Sequence, residues 1–310
     1  MTLPTLLEGR LALPLIGSPM FIISQPALVM AQCRAGIVGA FPSLNARPSG
    51  LFEAWLQQLQ AELTDADAPF AVNLIVHRTN ARLEEDLALC VQYKVPIVIT
   101  SLGAREDVNQ AIHSYGGIVL HDVIDNRFAR KAIEKGADGL IAVAAGAGGH
   151  AGTLSPFALI QEIRQWFDGP LALSGSIATG RAIAAARMMG ADLGYMGSPF
   201  IATTEANADP AYKQMIVDSH AADIVYSDVF TGVNGNYLRP SIVASGLDPD
   251  ALPKAKDMDF AAMTGGDKKA WRDVWGCGQG IGAVDKVQPT ADFIAGLKAD
   301  YRGAIAGFTL

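Results

Sequence analysis

The chain has 310 residues, of which 50% are hydrophobic and 18% charged, with a formal net charge of −7 and a mean hydropathy of +0.23. That apolar content can fill a large buried core and excludes a disordered chain. The acidic balance excludes the basic stripe of a nucleic-acid binder and attraction to an anionic membrane surface.

The N-terminal stretch MTLPTLLEGRLALPLIG carries Glu8 and Arg10 inside its apolar run and has no basic leader. No run reaches the ~20 apolar residues of a membrane helix. The three cysteines, Cys33, Cys90 and Cys277, are widely spaced and form no CxxC, which points to reduced thiols. A soluble cytoplasmic enzyme is expected.

Short aliphatic runs predict buried parallel strands at Leu15–Met20, Ile37–Phe41, Phe70–Leu74, Ile97–Ser101, Gly117–His121, Gly139–Ala144, Pro170–Ser174 and Leu193–Met196. Between them, helical periodicity covers Gln25–Arg34, Leu51–Leu63, Ala81–Tyr93, Glu106–Ser114, Arg127–Lys135, Pro156–Trp166 and Gly180–Met189. The tetrapeptides KGAD (135–138) and MGAD (189–192) read as glycine-terminated helix ends feeding the next strand. Eight strands alternating with helices predict an α/β fold, a (β/α)8 TIM barrel; an open doubly wound sheet shares the strand count. After Met196 the pattern breaks, and residues 205–265 are richer in Asp, Pro, Asn and Gly. The expected organisation is a barrel built from 1–204 and 266–310, with 205–265 as an inserted cap or lid. The periodic tail 290–307 then supplies the last barrel helix.

Two glycine turns, SGSIATG (174–180) after the seventh predicted strand and GSPF (197–200) after the eighth, fall where barrels commonly hold phosphate. Glycine lets backbone N–H groups point at an anion, and Ser176 and Ser198 add hydroxyls. Other strand ends narrow the chemistry. No lysine sits at one, which weakens a Schiff-base reading. The five histidines form no HxH or HExxH pair, so no metal site is expected. Asp122 and Asp125 follow the fifth strand, and one of them could simply cap the next helix. Asn73 ends the third strand, where an amide can meet a heterocycle edge. His77 and His121 also lie near strand ends, whereas His113 and His220 read as solvated or internally satisfied. The stretch AAGAGGHAGT (144–153) displays His150 among residues with almost no side chain, at the C-terminal end of the sixth strand.

These pieces together resemble the nitronate monooxygenase family, once called 2-nitropropane dioxygenases: PLIGSPM, PFAVNL, AGAGGHAG, LSGSIATGRAIAAARMMGADLGYMGSPFIAT, FTG (230–232) and WGCGQGIG (275–282). The resemblance implies an FMN-dependent TIM barrel, a flavoprotein oxidoreductase. Pro19 and Met20 would lie along the flavin ring, and Asn73 would hydrogen-bond its edge. Gly148 and Gly149 would pass close to the ring. Ser174, Gly175 and Ser176, with Gly197 and Ser198, would hold the phosphate. His150 would be the active-site base facing a nitronate, a nitroalkane or a related small carbon acid, with O2 as electron acceptor. Asp122 stands where part of the family has a lysine, and an acid there disfavours an anionic reduced flavin. Ser176 replaces a familiar glycine and Ser198 a threonine. On the same fold, an FMN-dependent NAD(P)H:quinone or enoyl-thioester reductase is the alternative. From another class, a non-redox barrel binding a phosphorylated metabolite also fits the two turns. A homodimer is compatible with the sequence, which does not fix the oligomer.

Overall fold

The computed structural model describes residues 3–48, 50–253 and 274–307. Eight parallel strands form one sheet: β1 (Leu15–Gly17), β2 (Gly39–Pro42), β3 (Phe70–Ile75), β4 (Ile97–Ser101), β5 (Ile118–Val123), β6 (Gly139–Val143), β8 (Leu171–Ser174) and β9 (Leu193–Met196), with β7 (Gly149–His150) outside it. Each pairs with its neighbour in the order β2-β3-β4-β5-β6-β8-β9-β1. A parallel bridge between Ile16 and Val38 joins the two ends. There Gly17 N–H donates to Val38 O (2.7 Å) and Val38 N–H to Leu15 O (3.1 Å), so the ring closes into a barrel.

The strands are short because each crosses the barrel wall once and is buried on both faces. β1 stops at Gly17, three residues before the expected end, because Pro19 has no N–H to continue the ladder. β2 starts at Gly39 because Val38 takes part only in the closing bridge. Helices α1 (Pro26–Arg34), α2 (Leu51–Glu62), α3 (Leu83–Gln92), α4 (Glu106–His113), α5 (Asn126–Glu134), α6 (Pro156–Arg164) and α7 (Gly180–Met188) cover the outer face. The glycine stops act as read. Gly136 (φ +89°) and Gly190 (φ +113°) follow α5 and α7 in left-handed or related conformations. The next N–H groups, of Ala137 and Ala191, bond back to Ala132 O and Ala186 O at 3.0 Å each. No described helix is long and apolar enough to cross a membrane.

Inside the barrel, side chains alternate with period 2. Ala71, Ile99, Leu120, Ile141 and Ala172 belong to one buried apolar cluster, which Leu7 of the N-terminal segment joins. One repeat further along the same strands stand Asn73, Ser101, Asp122, Val143 and Ser174, all lining a cavity at the C-terminal ends. The inward face therefore changes from apolar to mostly polar in a single step along the strands.

Beyond α8 (Ser198–Ile201), the chain is more regular than its patchy sequence pattern suggests. It forms α9 (Pro210–Asp218), β10 (Ile224–Ser227), β11 (Gly235–Leu238) and α10 (Arg239–Ala244). β10 and β11 pair antiparallel, and β11 also pairs antiparallel with β7. Residues 254–273, which include the far end of the expected cap, lie outside the described residues.

The expected closing helix is α11 (Thr290–Ala306), and it packs on α1 and α7. Its approach to α7 is close. A Cβ built on Gly180 would lie 2.2 Å from Tyr301 N and 2.3 Å from Leu297 O, both backbone atoms that cannot rotate away. Gly180→Ala should therefore push α11 outward and lower the unfolding free energy by about 1–3 kcal/mol, read as a lower urea midpoint at an unchanged m-value.

Candidate active site

The polar ends of the barrel strands open into a cavity of about 680 Å³. Pro19 and Met20 (after β1), Asn73, Asp122, Gly148, Gly149, His150, Ser174, Gly197 and Ser198 all line it. Gly175 and Ser176 do not; they line a smaller cleft that adjoins it through Gly148, Ser174, Gly197 and Ser198.

The cleft is walled by backbone. A Cβ on Gly146 would sit 2.2 Å from Ser176 Oγ, and one on Gly148 would sit 2.8 Å from Gly278 N and 3.0 Å from Ser198 Oγ. A Cβ on Gly278 would meet Gly146 O at 2.5 Å. These glycines let three separate loops converge. The third loop is part of the WGCGQGIG stretch: Gly278 N–H donates to Ser198 Oγ (2.7 Å), and Gln279 N–H donates to Gly146 O (2.9 Å). Ser176 has φ +55°, a left-handed conformation that costs a non-glycine residue about 1–2 kcal/mol. The turn thus has the geometry of the glycine that the family resemblance leads one to expect there.

On the cavity floor, Asn73 donates through Nδ2 to Ile99 O (3.0 Å) and to Ser101 Oγ (2.8 Å), which leaves its carbonyl oxygen as the acceptor. Ser101 in turn donates to Asp122 Oδ2 at 2.5 Å. Burial raises the Asp122 pKa to about 6, against the lowering effect of the Ser101 bond. Asp125 is the helix cap of the pair, accepting from Phe128 N–H at 2.9 Å. Tyr195, also lining the cavity, has its pKa raised first by burial and then by the Asp122 charge, and Ser18 bonds its hydroxyl.

His150 sits on β7. Gly149 and His150 lie in register with Asn236 and Gly235 of β11, Asn236 Nδ2 donates to Ala147 O (2.6 Å), and Tyr226 Oη donates to Ala151 O (3.0 Å). Two residues of the glycine-rich loop are thereby held as a strand. Burial lowers the His150 pKa to about 4, so the ring is neutral at physiological pH. The folded state binds fewer protons here than the unfolded chain between about pH 4 and 6.5, so acidification through that window costs stability. Thr231, almost fully buried, donates to Val233 O (3.0 Å) and stands 3.0 Å from His150 Nε2. This contact at Nε2 sets the orientation of the imidazole ring in the cavity wall.

His77 lines the cavity mouth, with Nδ1 2.8 Å from Thr79 Oγ1. His121 also lines the cavity but is buried against Thr100 Oγ1 (2.6 Å), and burial lowers its pKa to about 4. His113 is spoken for by Asp138 at 2.8 Å. Ser101, Tyr195 and Lys131 are among the lining residues that escaped the sequence reading. Counting inward positions on β4 and β9 would have found the first two. Lys131 reaches the cavity from α5, a helix residue that strand-end reasoning set aside.

The family model for nitronate monooxygenase matches residues 79–300 of this chain. The chain belongs to the nitronate monooxygenase family. Members of this family are oxidoreductases and are flavin-dependent in general. A nitronate monooxygenase of Paraburkholderia phytofirmans is 25% identical across 94% of this chain and 93% of that one. The structure of nitroalkane oxidase from Streptomyces ansochromogenes matches with a TM-score of 0.82 at 23% identity, covering 98% of this chain and 100% of that chain. The structure of FabK from Thermotoga maritima matches with a TM-score of 0.80 at 24% identity, covering 98% of each chain. At these identities the two structures establish the fold.

Thr231→Val keeps the volume but removes the hydroxyl at Nε2. The expected result is a shifted tautomer balance at His150 by ¹⁵N NMR and a roughly tenfold fall in kcat, the equivalent of one hydrogen bond worth about 1.4 kcal/mol. An unchanged tautomer would mean that Thr231 does not orient the ring.

Proposed function

We propose that this chain is an FMN-dependent oxidoreductase of nitronate monooxygenase type. It oxidises nitronates or nitroalkanes with O2, and His150 accepts the proton from the carbon beside the nitro group. The observation that carries the reading is a neutral histidine, oriented by Thr231, lining a cavity that continues into a glycine-walled cleft.

The residues present fit FMN. The backbone-lined cleft suits a phosphate, with Ser174, Gly175 and Ser176 on one side and Gly197 and Ser198 on the other. Pro19, Met20, Gly148 and Gly149 supply apolar and backbone surface for a flat ring, and Asn73 supplies a fixed acceptor. Bound FMN would supply the two-electron chemistry, which side chains lack. The protein's part is to hold substrate against His150, keep that ring unprotonated and limit water. A neutral imidazole accepts a proton at any pH well above its own pKa, so catalysis should keep its base form down to about pH 5. In this reading, residues 1–204 and 266–310 form the flavin-binding barrel and 205–265 the cap, whose strand β11 holds the histidine in place.

His150→Ala should leave the protein yellow and cut kcat/KM with a nitronate by about 10²–10⁴; full retention of turnover would remove His150 from the mechanism. A protein that is colourless and takes up no added FMN would overturn the flavin reading. Rapid anaerobic bleaching by NADH or NADPH would favour the reductase alternative instead.

The cleft has a separate test. Ser176 is exposed and already left-handed, a conformation that aspartate tolerates. Ser176→Asp should expel FMN without unfolding the chain, because it sets a carboxylate beside phosphate oxygens. Ser176→Gly should keep FMN and stabilise the fold by about 1 kcal/mol. FMN retained by the aspartate variant would move the phosphate elsewhere.

A further inference from the structure

Asp122 is the one carboxylate among the described residues that line the cavity. Its surroundings are unusual for an acid. Ser101 on β4 holds Oδ2, and Asn73 on β3 stands behind Ser101. Tyr195 on β9, bonded by Ser18, interacts with the Asp122 charge. The neighbouring strand β6 brings Val143 to the cavity. The other titratable groups lining the cavity among the described residues are His77, His121 and His150, Tyr212 and Tyr226, Cys277, and Lys131 on α5. None of them is among the causes of the Asp122 shift, which are burial and the Ser101 bond. Among the described residues no cation contributes to the shift of the carboxylate, and Ser101 bonds one of its oxygens.

A carboxyl in such a place responds to charge that arises beside it. If the cavity holds a flavin, the ring gains negative charge on accepting two electrons, and a neighbouring carboxylate then binds a proton more tightly. We propose that Asp122 is a redox-linked proton-holding residue: it takes up one proton from solvent when the bound ring receives two electrons from substrate, and returns it when O2 removes them. Over one cycle the carboxyl is unchanged. This rests on the flavin reading and concerns a group that His150 chemistry does not use. It also answers the difficulty that an acid near a reduced flavin raises, since the acid is neutral whenever the ring is most negative.

The test is the pH dependence of the flavin midpoint potential, measured on the FMN-loaded wild type, Asp122→Asn and Ser101→Ala. Asp122→Asn should match the wild type below about pH 5, where both side chains are neutral, and rise above it at pH 8, where only the wild type is ionised. Between these limits the wild-type potential should fall more steeply, by up to one additional proton per two electrons. Ser101→Ala removes the bond that favours the carboxylate, so its steep segment should begin at higher pH. Superimposed or parallel curves for wild type and Asp122→Asn would overturn the inference while leaving the flavin reading intact. A steep segment unmoved in Ser101→Ala would also count against it. Wild-type protein that binds no FMN would overturn both.

Discussion

The pairing of two residues of β7 with two of β11 organises the site. Gly149 and His150 belong to a loop whose composition favours many backbone conformations, and ordering glycine costs more entropy than ordering any other residue. Pairing with β11, the Asn236 amide bond to Ala147 O and the Tyr226 hydroxyl bond to Ala151 O offset that cost. The same pairing brings the turn holding Thr231 against the imidazole, so position and desolvation of His150 share one origin. Without β11 the barrel would still close, but its histidine would lose the strand pairing that places it beside Thr231.

The barrel itself was legible in the sequence because its signals are local. Eight short aliphatic runs and the glycine stops at Gly136 and Gly190 can be read within windows of ten residues or so, and the structure follows them to within a few residues. Most expected site residues were legible for a related reason: strand ends in a barrel share one face, so Asn73, Asp122, Ser174 and Ser198 had to come near one another. What could not be read was long-range pairing. Thr231 lies 81 positions from His150, and a two-residue strand leaves no periodicity to detect. The convergence of Gly278 on Gly148 and Ser198 was equally hidden, because glycines needed for close approach look the same as glycines needed for turns.

Burial drives the site's titratable groups toward neutrality from both directions. His150 and His121 are lowered to about 4, and Asp122 is raised to about 6. The consequences for stability have opposite signs. The histidines make the fold less stable as pH falls below 6.5, and Asp122 makes it less stable as pH rises from about 4 through 6. At Asp122 and Ser174 a fold selected for stability alone would place leucine or alanine, as the same strands do one repeat earlier at Leu120 and Ala172. The switch from apolar to polar at a single inward step is therefore a cost carried where the barrel opens. The same layer adjoins the glycine cleft.

The two groups differ in what holds them, and that difference separates their roles. His150 is held at Nε2 by a buried hydroxyl, so the ring's orientation is set before any ligand arrives. Asp122 is held at one oxygen by a hydroxyl that prefers the ionised form, while burial prefers the neutral one. The first arrangement suits a group that must always be ready to accept a proton from substrate. The second suits a group that can change state, because burial outweighs the hydroxyl and leaves the carboxyl's pKa near 6, where a change in nearby charge alters its protonation. A substrate proton and a compensating proton can thus be handled by separate residues at two places in one cavity, neither waiting on the other.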